Sequence, residues 1–502
     1  MGVSAYGNGR EQYMYGEHWV NPHHTLRYGY TKEFIDLYRG LQYKGIEIPA
    51  VLIRLFHVWI QAFVNRQQVQ PAVVRRMKMK HRFQRMSDIQ RALSRKPKRE
   101  RNLSVYAHRK GILMPARMAS FALEQFARKK VVLIVSSPAD REALRGKRLP
   151  GNFTVFDYKS AVKRVKIGTI HKKRVKQMIE KLSRRGRRHP FLARASFKRW
   201  LYVNALKSMR SIHALERLIT KHPIGIVIDH IEIVNPGATL SLLAHKYGIP
   251  FVTIPQLLIA DRSFIPARAS HYFVWGKDYR DWMVRRGVPA GRIKIVGNIK
   301  FEEVMKRNRG KTNIRSRLHI PDDHWIVTVA TQPFHHRVNV QLVRWIRYAS
   351  RLNLPFIFVI KPHPFDFYPY RSAFMKHDNI RIVSNTTNIY ELLKATDILA
   401  TVSSNTAIEA AMFHKAIFVL QPRIPYDYDH HNNEFNAFLV KARAGANISR
   451  PEHLQRCLRE YVDSPAYRNM LHRKSKLFLA RTVQIKSSPK VLIRRLIVNL
   501  LK

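Results

Sequence analysis

Short, unbroken apolar runs rich in valine, isoleucine and phenylalanine recur along the chain, and between them lie stretches with apolar positions at helical spacing. An unbroken run, rather than an alternating one, is the mark of a strand covered on both faces. The pattern predicts a strand leading into a helix in "KKVVLIVSSPADREAL" (129–144). It predicts further strands in "FTVFDY" (153–158), "IGIVIDH" (224–230), "IPFVTIPQ" (249–256), "HYFVWG" (271–276) and "RIKIVGN" (292–298). A second set follows: "WIVTVATQP" (325–333), "PFIFVIKPHP" (355–364), "NIRIVSN" (379–385), "DILATVS" (397–403) and "AIFVLQP" (416–422). Helical patterns such as "PGATLSLLAHKYG", "VNVQLVRWIRYASRL" and "NTAIEAAMFHK" separate them. Strands alternating with helices at this spacing make parallel sheets with crossover helices. Two tandem sets predict two doubly wound α/β domains facing each other.

The texture outside these sets differs. Residues 1–110 read as a basic helical extension, 111–298 as the first domain, 299–320 as a linker, 321–480 as the second domain, and 481–502 as a basic amphipathic helix. Residues 159–222 also read as basic helix. The longest apolar stretch, "IPAVLIRLFHVWIQAFV" (48–64), is interrupted by Arg54 and His57. It falls short of the roughly 20 residues that a membrane span needs and reads as a core helix. No leader-type apolar segment opens the chain.

Composition sharpens this picture in two ways. Among 502 residues, 91 Lys and Arg face 33 Asp and Glu, a formal charge of +58. Such a field attracts polyanions, which leaves nucleic acid, anionic lipid and phosphorylated substrates as candidate partners. No helix-turn-helix, zinc-finger or RNP signature accompanies it, so nucleic acid is not the expected partner. The tail "SSPKVLIRRLIVNLLK", with Arg494, Arg495 and Lys502, instead suggests an anionic membrane surface. The single cysteine, Cys457, allows no disulfide within the chain and fits a reducing compartment. The expected location is the cytoplasm, at the inner face of the cell membrane.

The chemistry gathers at predicted strand ends. In doubly wound sheets, ligands bind beyond the carboxyl ends of the strands. "DILATVSSNTAIEA" places Ser403, Ser404, Asn405 and Thr406 where a strand passes into a helix, with Glu409 one turn on. Small hydroxyl and amide side chains beside helix N–H groups suit a phosphate, and plain N-capping is the competing explanation. "VIKPHP" brings Lys361 and His363 to another strand end, where one can neutralise a phosphate and the other can hydrogen-bond it or move a proton. "VATQPFHHR" adds Thr331, Gln332, His335, His336 and Arg337 at a third.

The ordered set "HYFVWGKDYRDWMVRRGVPAGRIKIVGN", "TQP", "KPHP" and "ATDILATVSSNTAIEA" resembles GT-B-fold glycosyltransferases. The resemblance is to the bacterial cell-surface group of capsule- and teichoic-acid-type transferases, with UDP-N-acetylglucosamine 2-epimerases as cousins, and it spans about residues 130–480. It implies two Rossmann-like doubly wound domains facing a cleft (an α/β GT-B architecture). It further implies a nucleotide-sugar donor on the second domain, a polysaccharide or lipid-linked acceptor, and neither cofactor nor metal. By the same resemblance Ser403, Ser404, Asn405 and Thr406 would face the donor diphosphate, Glu409 its ribose, and His363 would sit beside the phosphates or the transferred group. The strand-end pattern adds Thr331, Gln332 and Lys361 to the expected donor site. Relatives carry Gln-His-Gly where this chain has Gln256-Leu257-Leu258, and leucine cannot take a proton. Asp229 or His230, at the end of "IGIVIDH", is the expected replacement base, against a purely loop-capping role for Asp229. An epimerase would show a Ser-Gly-Gly run and a His-Arg-Glu-Asn-like loop, which "SSNTAIEA" and "TQPFHHR" fit poorly. A non-catalytic polyanion-binding protein is the remaining alternative.

Overall fold

The computed structural model describes residues 20–502, except 68–69, 101–102, 104–105, 107, 257–263, 308–312, 425–437 and 485–486. Strands β1 (Gln42–Tyr43) and β2 (Ile46–Glu47) form a small antiparallel hairpin. Strands β3 (Gly111–Pro115), β4 (Val131–Val135), β5 (Phe153–Asp157), β6 (Ile224–Asp229), β7 (Phe251–Thr253), β8 (His271–Val274) and β9 (Ile293–Ile295) build one sheet, in the order β5-β4-β3-β6-β7-β8-β9. Strands β10 (Trp325–Ala330), β11 (Phe356–Lys361), β12 (Ile380–Ile382), β13 (Ile398–Thr401), β14 (Ala416–Leu420) and β15 (Ala446–Ile448) build the other, in the order β12-β11-β10-β13-β14-β15. All pairings in both are parallel. Each sheet is laid outward from its first strand and then resumed on that strand's other side. The direction therefore switches between β3 and β6 in one sheet and between β10 and β13 in the other. At such a point adjacent crossovers diverge and leave a crevice above the carboxyl ends. The expected α/β architecture of two doubly wound domains is the one observed.

The sequence pattern misses β3, an interior strand of the first sheet, although all five of its residues are buried. It holds one β-branched residue, Ile112, and ends in Pro115, so its composition carries little strand signal. The two-residue strands of the hairpin and the three-residue β15 escape for want of length.

The basic first segment is no loose appendage. Helices Pro22–Tyr38 and Ile53–Gln67 pack with Thr169–Arg185 and the long Ala195–Lys221 helix around one aromatic core. Phe34 stacks on Phe56 at 4.4 Å between centroids, and Phe197 on Trp200 at 5.3 Å. Arg54 and His57 lie within the 48–64 stretch, which is helical at 48–51 and 53–67 and buries Ile53, Phe56, His57, Ile60 and Val64, as a core helix does. The first half of the long helix buries Phe197, Leu201 and Ala205 in this lobe, and its second half buries Ile212, Leu215 and Ile219 against the first sheet. Glu33, half-buried on the lobe's first helix, binds Lys80, His81 at 3.3 Å and His189 at 2.8 Å.

The end of the chain corrects the surface-helix expectation. Helix Pro465–Thr482 leaves the second domain and Arg481 pairs with Asp278 of the first at 2.8 Å. Helix Pro489–Leu500 then lies on Ala119–Phe126 of the first domain. Its Ile493 and Ile497 are fully buried, and Lys490 pairs with Glu124 at 2.7 Å. The apolar face meant for a membrane is spent inside the protein; Arg494 and Arg495 stay exposed on the other side. Among the described residues no helix is long and apolar enough to cross a membrane.

Removing a buried aliphatic side chain forfeits its transfer energy and leaves a cavity. Ile497→Ala is expected to lower stability by about 2–5 kcal/mol in denaturant titration. Arg494→Ala combined with Arg495→Ala is expected to change it by less than about 1 kcal/mol.

Candidate active site

In the second domain, one clasp closes the switch point. Gln332 follows β10 and Ser403 follows β13. The Ser403 backbone N–H donates to Gln332 Oε1 at 2.8 Å, and Gln332 Nε2 donates to Ser403 Oγ at 2.9 Å. Both side chains are buried, so Ser403 serves the scaffold rather than facing the crevice. Ser404 accepts from the Thr406 N–H at 3.1 Å and donates to Thr406 Oγ1 at 2.9 Å, which caps the short helix Thr406–Met412. Asn405, at the formal cap position, makes no capping bond, and its Oδ1 is a buried acceptor without a hydrogen-bond partner. Capping thus accounts for Ser404 but not for Asn405.

The loop after β11 is organised by an aspartate that the sequence reading overlooked. Asp366 is buried and accepts from Thr331 Oγ1, from Tyr370 OH at 2.8 Å, and from Asn339 Nδ2 at 3.2 Å. Thr331 Oγ1 in turn accepts the His363 N–H at 3.1 Å. The loop holds the His363 ring so that Nδ1 accepts the Phe365 N–H at 3.1 Å. That bond requires an unprotonated Nδ1, so the neutral ring carries its proton on Nε2. Burial lowers the His363 pKa, the Asp366 charge opposes this, and Lys361 adds to the lowering. Lys361 does not reach for a ligand: its ammonium donates to the carbonyls of Asn385 at 2.8 Å and Pro362 at 3.0 Å, and burial lowers its pKa. His335, His336 and Arg337, which follow β10, are exposed.

Glu409 is buried and meets two groups remote in sequence. Its Oε1 accepts from Lys300 at 2.8 Å and from Tyr390 OH at 3.1 Å. Burial works against the Lys300 charge, yet the Glu409 carboxylate outweighs it and raises the lysine pKa. Lys300 sits on helix Ile299–Arg307, directly after β9, so this contact also ties the two domains together.

In the first domain a second crevice opens at the β3/β6 switch. A cavity of about 270 Å³ is lined by Pro115, Arg117, Ser136, Ser137, Asp229, His230 and Asn235, among others. Asp229 is almost wholly buried, and its Oδ1 accepts the His230 N–H at 2.6 Å. The same oxygen lies 2.8 Å from His230 Nδ1, an electrostatic contact without hydrogen-bond alignment. Helix Gly237–Lys246 begins against this carboxylate; a Cβ on Gly237 would stand 1.9 Å from the Ile231 carbonyl and 2.9 Å from Asp229 Oδ2. Arg117 closes one wall, bound through Nε to buried Asp140 at 2.7 Å and through a terminal nitrogen to Ser137 at 2.9 Å. Burial would raise the Asp140 pKa, but Arg117 and the serine hydroxyls hold it well below the carboxylate range. Glu232, three residues past Asp229, is fully enclosed by Tyr272 and the Arg268 and Ala269 N–H groups, and burial lifts its pKa to about 7. Leu257 and Leu258 lie outside the described residues.

The structure thus joins Thr331 to His363 and Gln332 to Ser403 at one edge, and Asp229 to His230 at another. Lys361 and Ser403 turn inward. Asp366, Lys300, Tyr390, Arg117 and Asp140 were missed. Their partners lie up to 109 residues away, as for Lys300 and Glu409, beyond the reach of local pattern; only the Asp in "KPHPFDF" stood beside a motif already noticed.

No family model matches this chain, and no curated protein matches it by sequence. Solved structures do. The UDP-GlcNAc 2-epimerase of Neisseria meningitidis, bound to UDP-GlcNAc, aligns at a TM-score of 0.50 with 14% identity, over 78% of this chain and 100% of that one. The S. aureus protein MnaA in a UDP co-structure aligns at 0.48 with 15% identity, over 78% and 97%. The wall teichoic acid polymerase TagF aligns at 0.41 with 11% identity, over 89% and 98%. The first likeness shows a shared fold, the two-domain GT-B-type architecture.

Replacing Gln332 by Ala strips a buried Ser403 N–H of its acceptor. The expected cost is about 1–3 kcal/mol in denaturant titration, with Gln332→Glu rescuing part of it. Burial lowers the pKa of His23, His245, His271 and His363, so these rings stay neutral in the fold. Their contribution is complete above the unfolded value of about 6.5 and is lost as pH falls through it toward the folded values. Denaturation midpoints are therefore expected to drop between pH of about 7.5 and about 5.5, less steeply in His363→Gln.

Proposed function

We propose that this protein is a GT-B-type transferase that moves a sugar or sugar-like phosphate group from a nucleotide-activated donor to an acceptor hydroxyl in cell-surface polysaccharide synthesis. The observation that carries this reading is the division of chemistry between the two crevices. The first-domain crevice offers an imidazole beside a buried carboxylate. The second-domain crevice offers uncharged hydrogen-bonding groups at Asn405 and Thr406, the His363 Nε2 proton, and the exposed His335, His336 and Arg337.

In this reading His230 takes the proton of the acceptor hydroxyl while Asp229 stabilises the imidazolium that forms. The acceptor oxygen forms the new bond to the transferred group as the bond to the nucleotide breaks. The departing phosphates are met by His363, Asn405 and Thr406, with His335, His336 and Arg337 nearby, donors placed where charge develops, without need of a metal. Glu409, set by Lys300 and Tyr390, accepts from the ribose hydroxyls. Gln332, Ser403, Thr331 and Lys361 position these groups from behind. The acceptor is a growing polysaccharide or a lipid-linked precursor at the inner face of the cell membrane. Recruitment to anionic lipid then rests on exposed charge, since the apolar face of the last helix is buried.

A thermal-shift series with UDP, CDP, GDP and their sugar or polyol conjugates tests the donor. A ligand that binds only the folded state raises its midpoint with concentration. Stabilisation by one nucleotide class, lost in Glu409→Ala, is the expected result; no response to any nucleotide overturns the reading. With the donor known, His230→Ala is expected to cut turnover by about 10²–10⁴ while keeping the nucleotide shift. Loss of the shift as well would make the Asp229–His230 pair structural. An epimerised nucleotide sugar released without acceptor would replace the transferase with an isomerase.

A further inference from the structure

The edge of the first sheet opposite the cleft carries a feature that this reaction does not use. Parallel strands put all their amino ends on one edge. There, a cavity of about 220 Å³ opens beside the starts of β7 and β8. Lys96, Arg99, His245, Arg268, His271 and Arg292 line it. They come from separate parts of the chain. Lys96 and Arg99 lie on the extended segment after helix Met86–Leu93, and His245 is in the last turn of Gly237–Lys246. His271 begins β8, and Arg292 immediately precedes β9.

Among the described residues no carboxylate lines the cavity. Of the nearby acids, Glu100 pairs with Lys246 at 3.1 Å, and Glu232, enclosed by Tyr272 and backbone N–H groups, offsets part of the charge of Arg268 and Lys96. Arg268 is 5% exposed and donates one bond, to the Ala50 carbonyl at 2.9 Å, while its Nε has no hydrogen-bond partner. Lys96, Arg99 and Arg292 press on one another and on the two histidines. Burial lowers the His245 pKa to about 4, and Lys96, Arg99 and Arg292 add to the lowering. Burial, then Arg292 and Arg99, lowers that of Lys96. Convergent like charges of this kind cost stability unless an anion relieves them. A second cavity of about 290 Å³ shares Lys96 and Arg292 and extends the same basic floor.

We infer that this cavity is a second ligand site, distinct from the cleft, for a small soluble anion with two adjacent phosphate groups. Four convergent cations match a paired phosphate better than a single one, and guanidinium groups favour its planar oxygen pairs. A volume of about 220 Å³ suits a compact group better than a long polyanion. Because the liganding side chains come from the early segment, the helix before β7 and the starts of β8 and β9, the anion would tie these elements together.

The test is calorimetric titration of the full chain with inorganic pyrophosphate at low salt. A saturable binding event is expected that survives in the cleft variants below and is weakened at least about tenfold by Arg99→Ala combined with Arg292→Ala, since charge-assisted bonds are lost. His363→Gln and Arg337→Ala, both in the cleft, are expected to leave it unchanged, so that failure here is separable from failure of the donor reading. Circular dichroism of the double variant checks that it folds; Arg99→Lys with Arg292→Lys, which keeps the charge, is expected to restore part of the affinity. Pyrophosphate binding that is lost only in the cleft variants overturns the inference. So does an absence of pyrophosphate binding in a sample that binds duplex DNA or anionic vesicles, which would make the cluster part of a diffuse basic surface.

Discussion

A parallel strand cannot stand at a surface: both its faces need cover, and in this chain crossover helices supply it. That constraint shapes everything above the sheets. It makes the inner strands largely apolar and puts every carboxyl end on one edge, and in each domain the chain reverses its direction of growth once. The two reversals lie between β3 and β6 and between β10 and β13. They are where Asp229 and His230 emerge in one domain and where Gln332 meets Ser403 in the other. The polar residues that matter are thus displayed by strands that contribute no chemistry themselves.

The charge imbalance turns out to have an internal economy. With acids outnumbered, several of those present hold cations from buried or half-buried positions. Glu33 gathers Lys80, His81 and His189; Glu216 gathers Lys44 at 2.5 Å and Lys246 at 2.9 Å; Asp140 holds Arg117; Glu409 holds Lys300. Breaking such a hub leaves an uncompensated charge inside, which costs far more than losing an exposed pair. Elsewhere the surplus cations lack counter-ions in the chain, and at the amino edge of the first sheet they converge rather than disperse.

Much of this was readable in the residues. Apolar runs located eleven of the strands, β4 to β14, at close to their observed positions, because burial writes itself directly into composition. Asp229, His230, Gln332 and His363 were recognisable as strand-end residues for the same reason. What stayed hidden depends on distant parts of the chain. Gly111–Pro115 is a strand because its neighbours bury it, not because its residues favour extension. Lys361 looked like a phosphate ligand, and only the fold brings the Asn385 carbonyl to its ammonium. Ser403 looked like a donor to ligand until Gln332 arrived beside it. The last helix has the amphipathic pattern of a membrane-surface helix, and periodicity cannot say whether lipid or protein meets its apolar side.

That last helix has a consequence for the order in which the protein is made. Residues 489–501 complete the apolar layer that covers one side of the first sheet, with Ile493, Ile497 and Leu501 beside Ile112, Met114 and Phe121. They are synthesised after the whole of the second domain. The second sheet, formed from one continuous stretch, can assemble as it emerges, whereas the first waits with an open apolar face until the chain comes back to it. Vectorial synthesis and domain order therefore run in opposite directions, and the domain translated first is the one finished last.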